Sequence, residues 1–273
     1  ARPAPNAGTE SFRSGRAVPA GAVAIIGDRS LLIGEFSRSV YERYIGREQG
    51  GRVLQDLVQR RLIETNMKKS GVEVTKADLD RHYAEVDQQY RNATQGKMTI
   101  ADVLKQEGLS PAEFRQRLRL QLGLKKMASR DFKREDISPA DQQQWLRSKM
   151  LDAKVEQDPS KLPERAAARV YGDFITFEDF AREILDSVPP REALGLVRTR
   201  LEAMHALQML SARGITYDEK ARKAAFIRFK NQFESDPKYK NIPFADFIRE
   251  RSGMTIDAYM KGPVFTRQAA LHL

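Results

Sequence analysis

Hydrophobic spacing divides this chain into two kinds of segment. Short β-prone runs, Ala22-Val23-Ala24-Ile25-Ile26 and Ser30-Leu31-Leu32-Ile33, flank Gly27-Asp28-Arg29, where glycine suits a tight turn, so a small hairpin is predicted. Ala168-Arg169-Val170-Tyr171 and Phe174-Ile175-Thr176 repeat that arrangement around Gly172-Asp173. Nearly everywhere else the apolar positions recur at helical intervals. Leu54, Leu57, Val58, Leu62 and Ile63 mark one long amphipathic helix, and Val197, Leu201, Met204 and Leu207 mark another.

These paired features belong to an internal repeat with an offset of about 145 residues, the size of one small domain. Leu57-Val58-Gln59-Arg60-Arg61-Leu62 answers Leu196-Val197-Arg198-Thr199-Arg200-Leu201, and Ala101-Asp102-Val103-Leu104 answers Ala245-Asp246-Phe247-Ile248. The shared positions are apolar residues and turn glycines, without a common His, Ser or acid pair. What is doubled is therefore a surface and not a reaction centre.

Helix boundaries follow the same doubling. Gly71 and Gly214 read as left-handed C-terminal caps, with the second long helix expected to run one turn further than the first. Thr75 and Thr216 read as the N-caps of the helices that follow, each with an acid close behind. Ser110-Pro111-Ala112-Glu113 and Ser138-Pro139-Ala140-Asp141 open two further helices, the latter running to about Asp152, and Thr255 opens a late one.

The expected fold is mainly α: two similar helical lobes, each with a short β-hairpin at its start. Residues 1–21 are Pro/Ala/Gly-rich and read as a disordered lead, 22–152 as the first copy, 153–167 as a linker carrying Pro159 and Pro163, and 168–273 as the second copy.

Composition narrows the function classes. No run approaches the roughly eighteen apolar residues of a membrane helix, so no transmembrane segment is expected. Cysteine is absent, which removes disulfides and thiolate chemistry and leaves the redox compartment open. A formal net charge of +10 draws the chain towards acidic surfaces. Arg115, Arg119, Lys126 and Arg130 belong to its most basic stretch and read either as a solvated helix face or as an anion-facing ridge. No nucleic-acid recognition signature accompanies the charge, so nucleic acid is not an expected partner.

Catalytic and metal patterns are missing. His82, His205 and His272 are far apart and lack ligand spacing, no glycine elbow surrounds a serine, and Gly50-Gly51 marks a helix start without a phosphate-loop lysine. The acids Glu73, Asp78, Asp80, Glu85 and Asp87 sit among Lys76 and Arg81 and read as surface charge. Neither a catalytic residue, a metal nor a cofactor is expected.

Aromatic residues supply the remaining candidates. Phe226, Phe229 and Phe233 share one helix face, with Tyr239 and Phe244 shortly after; the first copy offers Tyr83, Val86, Tyr90 and Met98. Large apolar residues at helical spacing form either a buried core or the lining of a groove that holds extended apolar segments. Methionine suits the second use, because its flexible thioether adapts to many shapes.

With these pieces in order, the sequence resembles the N-terminal chaperone domain of the SurA-type family, bacterial extracytoplasmic foldases with PrsA-like and trigger-factor-like relatives. The resemblance rests on Gly27-Asp28 followed by Leu32-Ile33, on Leu57 through Ile63, on Lys69-Ser70-Gly71-Val72-Glu73-Val74-Thr75, and on Met98-Thr99-Ile100 through Gly108-Leu109-Ser110 to Phe114-Arg115. It covers about residues 22–150 and reaches the second copy by way of the first. It implies a helical domain that cradles unfolded polypeptide clients without ATP, in the periplasm or on the outer cell surface. Relatives commonly insert parvulin prolyl-isomerase domains; no such segment occurs here, so isomerase activity is not expected. The family's domain is often completed by a far C-terminal helix, whereas this sequence stops at Leu271-His272-Leu273. A longer chain, a second copy in a homodimer or a specific envelope partner would supply that packing.

Overall fold

The computed structural model describes residues 18–273; most of the expected N-terminal lead lies outside the described residues. The fold is mainly α. Its elements run β1 (Ala22–Ile26), β2 (Arg29–Leu32), α1 (Ile33–Tyr44), α2 (Glu48–Ser70), α3 (Lys76–Ala93), α4 (Ile100–Glu107), α5 (Pro111–Phe132) and α6 (Pro139–Asp152). A second series follows: β3 (Ala166–Val170), β4 (Asp173–Thr176), α7 (Phe177–Ser187), α8 (Pro190–Ala212), α9 (Glu219–Ser235), α10 (Phe244–Ser252), α11 (Ile256–Lys261) and α12 (Pro263–Leu271). In both series a hairpin leads into a short helix and then a long one.

Both hairpins are antiparallel or two-stranded turns of minimal length. In the first, Ile26 pairs with Arg29 and Ala24 with Leu31, leaving Gly27 and Asp28 as the turn. The second turn sits one residue earlier than the repeat suggests. Tyr171 and Gly172 occupy it, at φ 53° and 95°, and Asp173 already begins β4. Positive φ at both turn residues matches the twist of flanking strands, and Tyr171 is held there by its side chain. Its ring lies 3.6 Å from the Lys69 ammonium, and its hydroxyl accepts from Asn66 Nδ2 at 3.1 Å.

Capping chemistry fixes most helix starts. Thr75, Thr99, Ser110, Ser138 and Thr176 each accept from the backbone N–H three residues on, while the acid there returns a bond to the cap residue. Thr255 caps α11 as expected. Thr216 does not cap α9; Asp218 does, accepting from Ala221 N at 2.8 Å. Asp is at least as good a cap as Thr, and it stands closer to the first helical residue. The expected length difference is also absent, since α2 and α8 both have 23 residues. The four extra residues before Gly214 are offset by a later helix start.

The chain forms two compact units. One comprises the segment ending at Leu54, Pro163–Ala167 and Thr176–Leu273; the other comprises Gln55–Leu162 and Ala168–Ile175. These units cut across the repeat, because β1, β2 and α1 group with the elements from α7 onward. The segment 153–167, expected as a linker, is ordered at both ends. Ala153, Ala166 and Ala167 are buried, and Glu156 accepts from Gln157 N and Asp158 N.

In the first unit, α1 packs along α7 and α12 packs along α8. Tyr41 stacks on Phe177 with centroids 4.4 Å apart and meets Phe180 edge-on at 5.2 Å. The second unit is built on Ile63 and Met67 of α2, Leu124 and Met127 of α5, and Trp145 of α6. Trp145 is buried, and its indole N–H donates to Asp131 at 2.9 Å, so its polar edge is satisfied.

Candidate functional site

The first unit contains an apolar-walled cavity of about 310 Å³. Helix α1 contributes Phe36, Val40 and Arg43, a 36/40/43 stripe that continues to Arg47 one turn later. Leu196 of α8, Phe229 of α9, Ile248 of α10 and Tyr259 of α11 complete most of the apolar wall.

A close approach of backbones positions the basic side of this wall. Gly253 ends α10 in the left-handed conformation at φ 71°. A Cβ there would press on the Arg47 stem, and a Cβ on Gly46 would run into the Gly253 carbonyl. With both positions bare, Arg47 lies across the end of α10. Its Nη2 donates to the Ser252 carbonyl at 3.1 Å, and its guanidinium sits 5.2 Å from the Tyr44 ring centre. Arg251 lies 5.4 Å over the Phe247 ring. Arg43 is half-buried, and its Nε has no hydrogen-bond partner. Among the described residues no acid lines the cavity.

Acid groups near α1 are handled elsewhere. Burial pushes the Glu42 carboxyl up from its ordinary value, against the opposing pull of Arg38, Arg200 and Lys261. Burial also pushes the Tyr44 phenol up, with help from its hydrogen bond to Glu192, to about 12.

The aromatic stripe read from the sequence is largely core. Phe233 and Phe244 are only 6% and 5% exposed, with ring centres 5.2 Å apart. Phe233 also stacks on Tyr239 at 4.5 Å, and half-buried Phe226 meets Phe244 at 5.5 Å. Such edge-on and stacked rings fill the space between α9, α10 and α12. Of this set Phe229 also faces the cavity.

Tyr83, Val86 and Tyr90 lie on α3 in the other unit, with Met98 in the loop before α4. Tyr83 and Val86 are half-buried, whereas Tyr90 is 39% exposed. Tyr83 meets Phe114 edge-on at 5.9 Å, beneath the Arg115 guanidinium.

The basic ridge is engaged by its own chain. Arg115 pairs with Asp80 at 2.8 Å, Lys126 with Asp78 at 2.7 Å, and Arg130 donates to the Ser70 carbonyl at 2.8 Å. Arg119 is exposed and lines a pocket with Glu64, Met67, Val72 and Leu120. The same contacts account for the acids on α3. Asp78 is held well below the usual carboxylate range by Lys126 and by the Thr75 cap, and Asp87 is held low by Arg91 and by the Ile100 N–H. His82 contacts Glu85 at 3.1 Å. Among the described residues no cluster of His, Asp or Glu has the arrangement of a metal site. No described helix is long and apolar enough to cross a membrane.

Sequence reading missed the cavity itself and its arginines. The signal was present as the 36/40/43/47 spacing, an apolar stripe turning basic at its C-terminal end. It went unread because its partners, α8 to α12, lie more than a hundred residues away in the chain.

No curated protein and no solved structure matched the chain. One family model did, that of the SurA-like N-terminal domain, over residues 6–128. The matched span includes both strands of the first hairpin and α1, which walls the cavity. Over residues 6–128 this chain is therefore similar to the SurA-like N-terminal domain.

Proposed function

We propose that the protein is an ATP-independent extracytoplasmic chaperone that holds apolar, aromatic-rich segments of unfolded polypeptides. The observation that carries this reading is the SurA-like N-terminal domain over residues 6–128. The second series of elements, hairpin, short helix and 23-residue helix, supports reading residues 168–273 as a second copy of that domain. Client contact is assigned to the apolar cavity, with Phe229 in its wall, and to the partly exposed side chains of α3 and its loop, Tyr83, Tyr90 and Met98. The apolar part of the cavity wall selects weakly among apolar side chains, as a holder of many clients requires.

The test is aggregation of a chemically unfolded, aromatic-rich client diluted into buffer without nucleotide. Light scattering should fall as protein is added, approaching full suppression near stoichiometric amounts. Unchanged scattering at a several-fold excess would remove the chaperone reading. Selection of a single partner by a salt-sensitive interaction would replace it with a docking scaffold.

A further inference from the structure

The arginines of the cavity have no role in holding a purely apolar segment. We propose that the cavity binds a ligand with an apolar body and one carboxylate, a reading that stands whether or not the protein is a chaperone. A volume of about 310 Å³ accommodates one large side chain or one alkyl chain and not a folded element. Phe36, Val40, Leu196 and Phe229 surround such a body with carbon.

Charge decides the other end of the ligand. Arg43, Arg47 and Arg251 line the same space, and among the described residues no acid lines it with them. A carboxylate arriving in the cavity meets guanidinium groups along its wall, whose planar geometry it matches. Arg47 is fixed by the Ser252 carbonyl and the Tyr44 ring, so little of its side-chain freedom remains to be lost on binding, and exposed Arg251 lies over the Phe247 ring. A single charge suits this apolar setting better than a phosphate dianion, because desolvation cost rises steeply with charge.

A fatty acid and the C-terminal carboxylate of a polypeptide ending in a large apolar residue share this chemistry, and the test separates them. Calorimetric titration at pH 8 would compare decanoate with decanol, and a short peptide ending in Phe with its C-terminal amide. In at least one pair, the acid should bind about tenfold or more tightly than its neutral counterpart. The same preference should fall about tenfold in Arg43→Gln and in Arg251→Gln. Arg251 is exposed, so its replacement leaves the fold intact even where the Arg43 variant loses helical ellipticity on heating. Preference for the acid in the decanoate pair alone marks a free fatty acid as ligand, and in the peptide pair alone a chain terminus. Equal binding of acid and neutral forms in both pairs, no binding of any, or wild-type binding by Arg251→Gln overturns the proposal. Aggregation suppression by the wild-type protein, measured in parallel, keeps failure of this assignment separate from failure of the chaperone reading.

Discussion

The Tyr44 hydroxyl donates to Glu192 Oε1 at 2.5 Å, which ties the last turn of α1 to the first turn of α8. Tyr44 is 1% exposed, so its ring is core while its polar tip reaches a carboxylate at the rim. Glu192 also sits where the amino end of α8 favours negative charge. Removing the hydroxyl in Tyr44→Phe costs the charge-assisted bond and little packing. Urea unfolding should show a loss of about 1–2 kcal/mol, with the slope of the transition unchanged.

The same contact predicts alkaline sensitivity. The Tyr44 phenol has an ordinary pKa of 10.0 and is pushed up to about 12 in the folded chain. Below pH 10 the group is protonated in both states, so its contribution to stability is fully present and does not vary with pH. Between pH 10 and 12 the unfolded chain ionises while the folded one resists, so its contribution falls by roughly 1.4 kcal/mol per pH unit. Buried Tyr41 and Tyr259 and half-buried Tyr217 are shifted in the same direction. Stability measured in urea should therefore decline steeply above pH 10, and less steeply in Tyr44→Phe.

At the acid end Asp78 is the most strongly shifted of several carboxylates held below their ordinary values. It accepts from Thr75 N at 2.9 Å as half of a capping box and from Lys126 at 2.7 Å, which joins α3 to α5. Its carboxyl is held well below the ordinary value of 3.8. The stabilisation is thus complete above about pH 4 and is lost as pH falls further and the folded form takes up its proton. Asp78→Asn should lower the melting temperature at pH 7 and flatten the decline of melting temperature below pH 4. A parallel decline in variant and wild type would remove Asp78 as the source.

Local chemistry was legible in the sequence to the extent that it was local. Ser110 and Ser138 open helices as their Ser-Pro-x-acid pattern predicts, and Gly71 and Gly214 take positive φ of 63° and 71°. Such features depend on residues within one turn of each other. Which helix packs on which does not, and the assignment of α1 to a unit with α7 through α12 was invisible in the pattern. The same limit applies to the aromatic stripe. Helical spacing places Phe226, Phe229 and Phe233 on one face, but only the neighbours α10 and α12 decide that the face is filled.

Phe233→Ala distinguishes a filled face from a groove. The ring packs against Tyr239, Phe244 and Phe247, each with centroids 4.5 to 5.2 Å away. Truncation leaves a cavity between α9 and α10, with an expected cost of about 3–5 kcal/mol. Thermal or urea unfolding followed by circular dichroism measures it. A groove residue would leave the melting temperature near wild type and change only client binding, so an unaltered melting temperature would reverse the assignment of Phe233 to the core.

Adjacent glycines at the start of α2 give opposite outcomes. Gly50 is buried, and a Cβ there would run into the backbone carbonyl of Tyr44, which cannot move aside as a flexible side chain can. Gly50→Ala should therefore destabilise by about 1–3 kcal/mol through overpacking. A Cβ on Gly51 meets nothing within 4 Å, and the residue is exposed on the same helix. Gly51→Ala should instead raise stability by about 0.5–1 kcal/mol, because alanine restricts the unfolded chain and favours helix. Paired urea titrations measure the difference. Equal effects at the two positions would mean that the approach of Gly50 to the end of α1 is not tight in solution.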